Sequence, residues 1–348
     1  MNTAFSQNYI LAKARAVWGK RLTAQNYSDL MSFHSVPEAA DYLRSKTYYA
    51  PIFEGFTSGM IHRGQLEGLL HKDLFDKYMK FCSFGKAIGN NFYEFYILKN
   101  DISQLLQIMT YMNSGTMESY IYTLPVFYDE HSKLDLYKLS TVRTPEQLIS
   151  ALDSTPYEKT VKKIFSRKYA YNFIIPAEIE FTNFLSEELA KLLKLKKSET
   201  ADNEIVKLFT LESDMRFLNG VYRLITFPDV PREFILKLTA AEYSQLNRQT
   251  RIALASAQTT DEFMKILSGT KYRKICDYAQ AADFDDASKR FEYEIFAKQI
   301  RFSTDPNVVM YTFLYLTANE INNIIHIIEC IRYSLPSDTV RPMLNGIN

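Results

Sequence analysis

This sequence predicts an all-α fold built from three homologous helical modules, and three observations carry that expectation. The first is a short pattern: Pro or Thr, an acid, eight residues, then Thr-x-Tyr. It occurs at Pro37-Glu38 with Thr47 and Tyr49, at Pro145-Glu146 with Thr155 and Tyr157, and at Thr260-Asp261 with Thr270 and Tyr272. The second is an acid opening an amide-bearing apolar run. It follows each copy, at Asp101, Asp214 and Glu320, which lie 52, 57 and 48 residues beyond the respective tyrosines. Two patterns recurring in one order mark a multiplied structural unit. The third is punctuation: 11 Gly and 11 Pro in 348 residues give too few turns for a sheet protein of this length. The modules are expected at 1–125, 126–230 and 231–348.

The elements follow in order. Tyr9 to about Met31 reads as one helix, with Ile10, Leu11, Ala14, Val17 and Trp18 on one side. Ser35 and Glu38 form a capping box, in which the hydroxyl accepts an N–H and the acid reaches back to the cap. The helix they start carries Ala39, Ala40, Tyr42 and Leu43 to about Lys46. Pro51 to Gly68, holding Gly55, Gly59, Gly64 and Gly68, reads as a turn-rich connection. Leu69–Phe84 and Asn91–Met112 read as helices. Thr144 and Gln147 repeat the box, with Pro145 in the first turn and Leu148, Ile149, Ala151 and Leu152 as the stripe. Helices over Pro176–Lys197 and Glu204–Ile225 complete that module, and Pro228 and Pro231 mark its boundary. Thr259 and Glu262 open the third copy, with Phe263, Met264, Ile266 and Leu267 on the buried stripe. Asp283, Asp285 and Asp286 cap a helix bearing Arg290 to Ile300. The last helix is read from Thr317 to Arg332, stopped by Pro336, with a poorly ordered tail from Arg341 to Asn348.

Within each module, Thr47, Thr155 and Thr270 read as helix-terminating hydroxyls, and Tyr49, Tyr157 and Tyr272 as packed aromatics. A catalytic tyrosine would not be needed in triplicate. Truncating each to Ala is expected to cost a few kcal/mol, as large-to-small core changes do. Asp101, Asp214 and Glu320 read as helix N-terminal acids, where the partial positive charge favours carboxylates.

Composition excludes several classes. With 41 basic and 40 acidic residues, the chain lacks the basic excess of a dedicated nucleic-acid binder. Cys82, Cys276 and Cys330 are dispersed and odd in number, which suits free thiols of a reducing compartment rather than a disulfide or zinc framework. No secretory leader and no apolar run of about 20 residues appear, so a soluble cytoplasmic protein is expected. Gly19-Lys20 and Gly85-Lys86 lack the rest of a phosphate-binding loop, and neither G-x-G-x-x-G nor G-x-S-x-G occurs. His34, His62, His71, His131 and His326 are scattered, and His326 is read as a core or interface residue. Ser288 replaces the glycine that a calcium loop around the acidic knot would need. No catalytic, cofactor or metal residue is assigned. Lys159, Lys162, Lys163, Arg167 and Lys168, and Lys191, Lys194, Lys196 and Lys197, read as solvated basic faces, with contact to an acidic partner or to lipid headgroups as the alternative.

The segments YILAKARAVWGKRL, SVPEAADYLRSKTYY, FYILKNDISQLLQIM and YTFLYLTANEINNIIHIIECIRYSLPSDTVRPML, in this order, resemble the C/d family of A/V-type rotary ATPases, which forms part of the central stalk. The resemblance spans essentially the whole chain. Thr260 in place of Pro and the stretch from Asp129 to Leu139 depart from it. It implies three modules about a pseudo-threefold axis, forming a funnel. The funnel would sit on the cytoplasmic face of a membrane proteolipid ring, accept the central shaft and couple their rotation to ion transport without catalysis. It implies no cofactor, no nucleic acid and no direct small-molecule substrate. It also places Glu320, Asn323 and Arg332 near a partner-facing surface. The competing readings are a helical scaffold or adaptor unrelated to rotary ATPases and an enzyme with an unfamiliar site. The long repeat period argues against common solenoids, whose repeats run to about 47 residues.

Overall fold

The computed structural model describes residues 3–56, 61–87, 92–166, 174–194, 203–226, 236, 244–280 and 282–347, and among them regular structure is helical with no strand. The helices are α1 (Thr3–Trp18), α2 (Ala24–Met31), α3 (Val36–Lys46), α4 (Arg63–Ala87), α5 (Phe92–Ser114), α6 (Leu136–Ser140), α7 (Pro145–Ala151) and α8 (Glu158–Ser166). They continue as α9 (Ile174–Leu192), α10 (Glu204–Thr226), α11 (Arg248–Ser256), α12 (Thr260–Ser268), α13 (Arg273–Tyr278), α14 (Phe284–Phe302), α15 (Pro306–Arg332) and α16 (Ser337–Val340). Short 3-10 turns lie between several of them.

Contacts divide the chain into two compact units, Met1–Asn90 with Ala281–Asn348, and Asn91–Gln280. In the first, α15 is central, with α1, α4 and α14 against it. Val308, Val309, Met310, Phe313, Leu314, Leu316, Ile321, Ile324, Ile327 and Ile328 are all buried, so α15 is apolar around most of its circumference and belongs inside. In the second, α9 packs on α5, α8 and α10, burying Phe181, Leu185 and Leu189.

The repeated helix starts form as their residue types dictate. Ser35, Thr144 and Thr259 accept the N–H of Glu38, Gln147 and Glu262 at 3.4, 3.3 and 3.2 Å. The side chains of Glu38, Gln147 and Glu262 then reach one residue past the cap, accepting from the N–H of His34, Arg143 and Gln258 at 3.1, 2.7 and 2.7 Å. At the other end, Thr47, Thr155 and Thr270 donate to the carbonyls of Leu43, Leu152 and Leu267. Asp283 caps α14 by accepting from the N–H of Asp285 at 3.1 Å.

Several expectations are corrected. The helix read from Tyr9 to Met31 is two helices, because Thr23 caps a second start and forms a capping box with Asn26. The connection read over Pro51–Gly68 is partly helical: α4 begins at Arg63 and takes in Gly64 and Gly68. Burial of Leu66 and Leu70 outweighs the propensity cost of about 1 kcal/mol per interior glycine. Gly55, at φ +83°, is the glycine that a turn there requires. The final helix starts at Pro306, capped by Asp305, because nothing between Val308 and Thr317 breaks it. The tail is docked: Asn323 and Asn345 exchange hydrogen bonds at 2.7 and 3.1 Å, and Leu344 is buried. Gly59, Arg167, Lys168, Lys196, Lys197, Pro228 and Pro231 lie outside the described residues.

Gly68 is exposed within α4, and a Cβ built there meets nothing within 4 Å. Gly68→Ala is therefore expected to stabilise the protein by about 0.5–1 kcal/mol. Chemical denaturation checks this, and a destabilised variant would contradict an open helical site.

Candidate functional site

The three repeated acids do not begin helices. Asp101 lies in the middle of α5, Asp214 of α10 and Glu320 of α15. Each is nearly sealed from water, at 0%, 1% and 3% exposure. Mid-helix N–H groups are already used by the helix, so these carboxylates take their donors from elsewhere.

The donors come from the repeated motif itself. Tyr157 Oη donates to Asp101 Oδ2 at 2.5 Å, Tyr272 Oη to Asp214 Oδ2 at 2.6 Å and Tyr49 Oη to Glu320 Oε1 at 2.9 Å. Sequence order groups Tyr49 with Asp101 and Tyr157 with Asp214. The fold shifts each tyrosine onto the preceding acid, and the first onto the last. Partners are 56 and 58 residues apart in two clusters and 271 apart in the third.

Further donors complete each cluster. Asp101 also accepts from Ser132 Oγ at 2.6 Å, from the Lys133 N–H at 3.1 Å and from the Tyr128 hydroxyl. Asp214 accepts from the Gln245 N–H at 2.8 Å and from Ser244 Oγ. Glu320 accepts from Tyr48 Oη at 2.7 Å and the Leu22 N–H at 2.8 Å. Thr47 and Thr270 fix the approach, accepting from the N–H of Tyr49 and Tyr272 at 3.2 and 3.0 Å.

Burial raises the proton affinity of Asp214, and the donors Ser244, Tyr272 and the Gln245 N–H partly offset it. Burial likewise raises Glu320 against the pull of Tyr48, the Leu22 N–H, Tyr49 and, through space, Lys77. The Tyr49 and Tyr157 hydroxyls are held protonated well above the ordinary tyrosine value, first by burial and then by the adjacent carboxylate charge. Protonated phenols facing buried carboxylates form a holding arrangement.

Of the three residues assigned to a partner-facing surface, only Arg332 is exposed. Glu320 is the clasped acid just described. Asn323, 2% exposed, holds the backbone of Asn345 and bonds Tyr27 Oη at 3.4 Å. His326 is exposed rather than core. The basic faces are partly neutralised: Lys163 pairs with Glu180 at 2.7 Å and Lys191 with Glu188 at 2.6 Å, and Lys162 pairs with Glu158. Among the described residues, no group of three or more His, Cys, Asp or Glu could hold a metal, and no helix is long and apolar enough to cross a membrane.

A family model for the ATP synthase (C/AC39) subunit matches residues 10–343. The chain belongs to that family. It is thus an A/V-type ATP synthase C/AC39 subunit, as the ordered motifs imply. The match includes all three tyrosine–carboxylate clusters. No match is found among curated proteins.

Tyr49→Phe, Tyr157→Phe and Tyr272→Phe are each expected to cost about 1.5–3 kcal/mol in chemical denaturation, the range for a lost bond to a charged group. Tyr157→Phe should cost least, since Asp101 keeps Tyr128, Ser132 and the Lys133 N–H. Equal stability of all three variants and the native chain would refute the clasp.

Asp214 holds its proton more tightly when folded than when unfolded, so folding binds a proton just above the ordinary carboxylate range. Its contribution is greatest below that range and falls as pH rises through the elevated folded value. The stability difference between native chain and Asp214→Asn should therefore shift against the native chain over that interval. A pH series of denaturation curves reads it, and a flat difference would contradict the raised affinity.

Proposed function

We propose that this C/AC39 subunit is a non-catalytic rotor component. It would seat the central shaft against the membrane proteolipid ring on the cytoplasmic face and pass rotation between them, linking ATP hydrolysis or synthesis to ion transport. The observation that carries the proposal is the family match over residues 10–343. The clasps support it physically. A part that transmits torque must resist shear between packed helices, and each clasp pins a capping segment onto a long helix through several short bonds to one buried charge.

The same reading arranges modules 1–125, 126–230 and 231–348 about a pseudo-threefold axis as a funnel. The cyclic order of the clasps favours this, since module two bonds the acid of module one, module three that of module two, and module one that of module three. Among the residues assigned to a partner surface, Arg332 at the exposed end of α15 is the one proposed to meet a partner.

The test is removal of this protein from the intact complex. Membranes lacking it should retain ATP hydrolysis by the head but lose ATP-driven ion transport, and adding the purified chain back should restore it. Ion transport undiminished by its loss, or ATP hydrolysis by the purified chain alone, would overturn the proposal.

A further inference from the structure

The three clasps are built to two chemical plans. In the aspartate clasps, a serine does double service. Ser132 donates to Asp101 and accepts the Leu134 N–H at 3.0 Å, and Ser244 donates to Asp214 and accepts the Leu246 N–H at 3.0 Å. Leu134 and Leu246 are buried, and the next residue, Asp135 or Asn247, caps the following helix. The first part of the chain carries the same local frame: Leu22 is buried and Thr23 caps α2. There, however, the residue two before the leucine is Lys20, which is exposed and offers no short hydroxyl.

The Leu22 N–H would thus lose its acceptor inside the fold. Glu320, longer than Asp by one methylene, supplies it directly at 2.8 Å. The second hydroxyl donor is replaced as well, by Tyr48 at 2.7 Å. The longer acid and the missing serine occur together, in the one clasp that joins segments 271 residues apart.

We propose that this exchange is a key. The segment 19–53 lacks the serine and fits only a glutamate helix, while segments carrying Ser132 or Ser244 fit only aspartate helices. Seated on α5 or α10, the first segment would leave the leucine N–H unpaired, because the shorter acid cannot reach it. Seated on α15, a serine-bearing segment would meet an acid whose extra methylene occupies the hydroxyl's position. Both mismatches leave buried polar groups unpaired or crowded, which is how discrimination between similar sites is built. Three similar segments and three similar helices in one chain create the opportunity for wrong pairing. The key closes the series on the intended helix, between partners 271 residues apart in sequence.

Two double-variant cycles on the full chain test this. In the first, Glu320→Asp is expected to raise the unfolding constant by about tenfold or more, Lys20→Ser to change it less than about twofold, and Lys20→Ser with Glu320→Asp to recover most of the loss. In the second, Ser244→Ala and Asp214→Glu should each destabilise, and the pair together should cost less than their product by about tenfold. Amide hydrogen exchange supplies a local readout. The Leu22 N–H should lose protection in Glu320→Asp and regain it in the double variant, and the Leu246 N–H should follow the same course in the second cycle. Should Glu320→Asp alone not fold, folding of the double variant supports the key and its failure to fold refutes it. Additivity in either cycle, or no return of Leu22 or Leu246 protection, overturns the proposal.

Discussion

Burying a carboxylate without partners costs several kcal/mol, and the rest of this structure is arranged around meeting that demand at three places. Asp101, Asp214 and Glu320 are each set in the middle of a long helix, where the helix itself can offer no N–H. Each must therefore be reached from outside by hydroxyls and amides. A hydrogen bond to a charged group contributes about 1.5–3 kcal/mol, and each of these carboxylates receives three or four. The arrangement also adds selectivity. A segment displaced by one residue leaves the charge unpaired, and that misplaced state is penalised by the whole desolvation term.

The donors are organised by elements that are themselves local and form readily. A Ser or Thr cap starts the short helix, and a Thr closes the segment two residues before the Tyr. In the first and third copies, the same terminal Thr accepts the tyrosine N–H and so fixes where the ring enters the core. The caps therefore do more than stop fraying: they set the length of the segment that delivers the hydroxyl. That couples a propensity-level feature to a tertiary contact up to 271 residues away.

The parts of this architecture that sequence could disclose are the local ones. Ser35, Thr144 and Thr259 announce helix starts because capping depends on residues three apart, and the Thr-x-Tyr copies announce a repeated unit. The role of Asp101, Asp214 and Glu320 was not legible. An acid at the head of an apolar run has the same pattern whether it begins a helix or interrupts one, and only the distant tyrosine decides. Pairing across copies was hidden for the same reason, since spacing links Tyr49 to Asp101 while packing links it to Glu320. Gly64 and Gly68 misled because glycine's weak helix propensity was overruled by the burial of Leu66 and Leu70 beside them. Asn323 gave no warning either: its amide is spent on the backbone of Asn345, a contact without sequence pattern.

Buried polar pins of this kind hold packed helices in register, as the proposed rotor role requires. Apolar contacts are strong in sum but change little as surfaces slide, because one methyl replaces another. A charge held by short bonds to fixed hydroxyls has a narrow minimum, and displacement by about an ångström forfeits most of it. In the first unit, the Glu320 clasp acts beside Arg15, which donates to the carbonyls of Ile300 and Ser303 at 2.9 and 2.5 Å and so ties α1 to the end of α14. Residues from the first helices and the last are thereby fixed to each other at several points, through bonds that resist sliding in different directions. In the rotor role proposed above, this resistance is what the chain's own side chains would contribute, and the buried carboxylates are where it is concentrated.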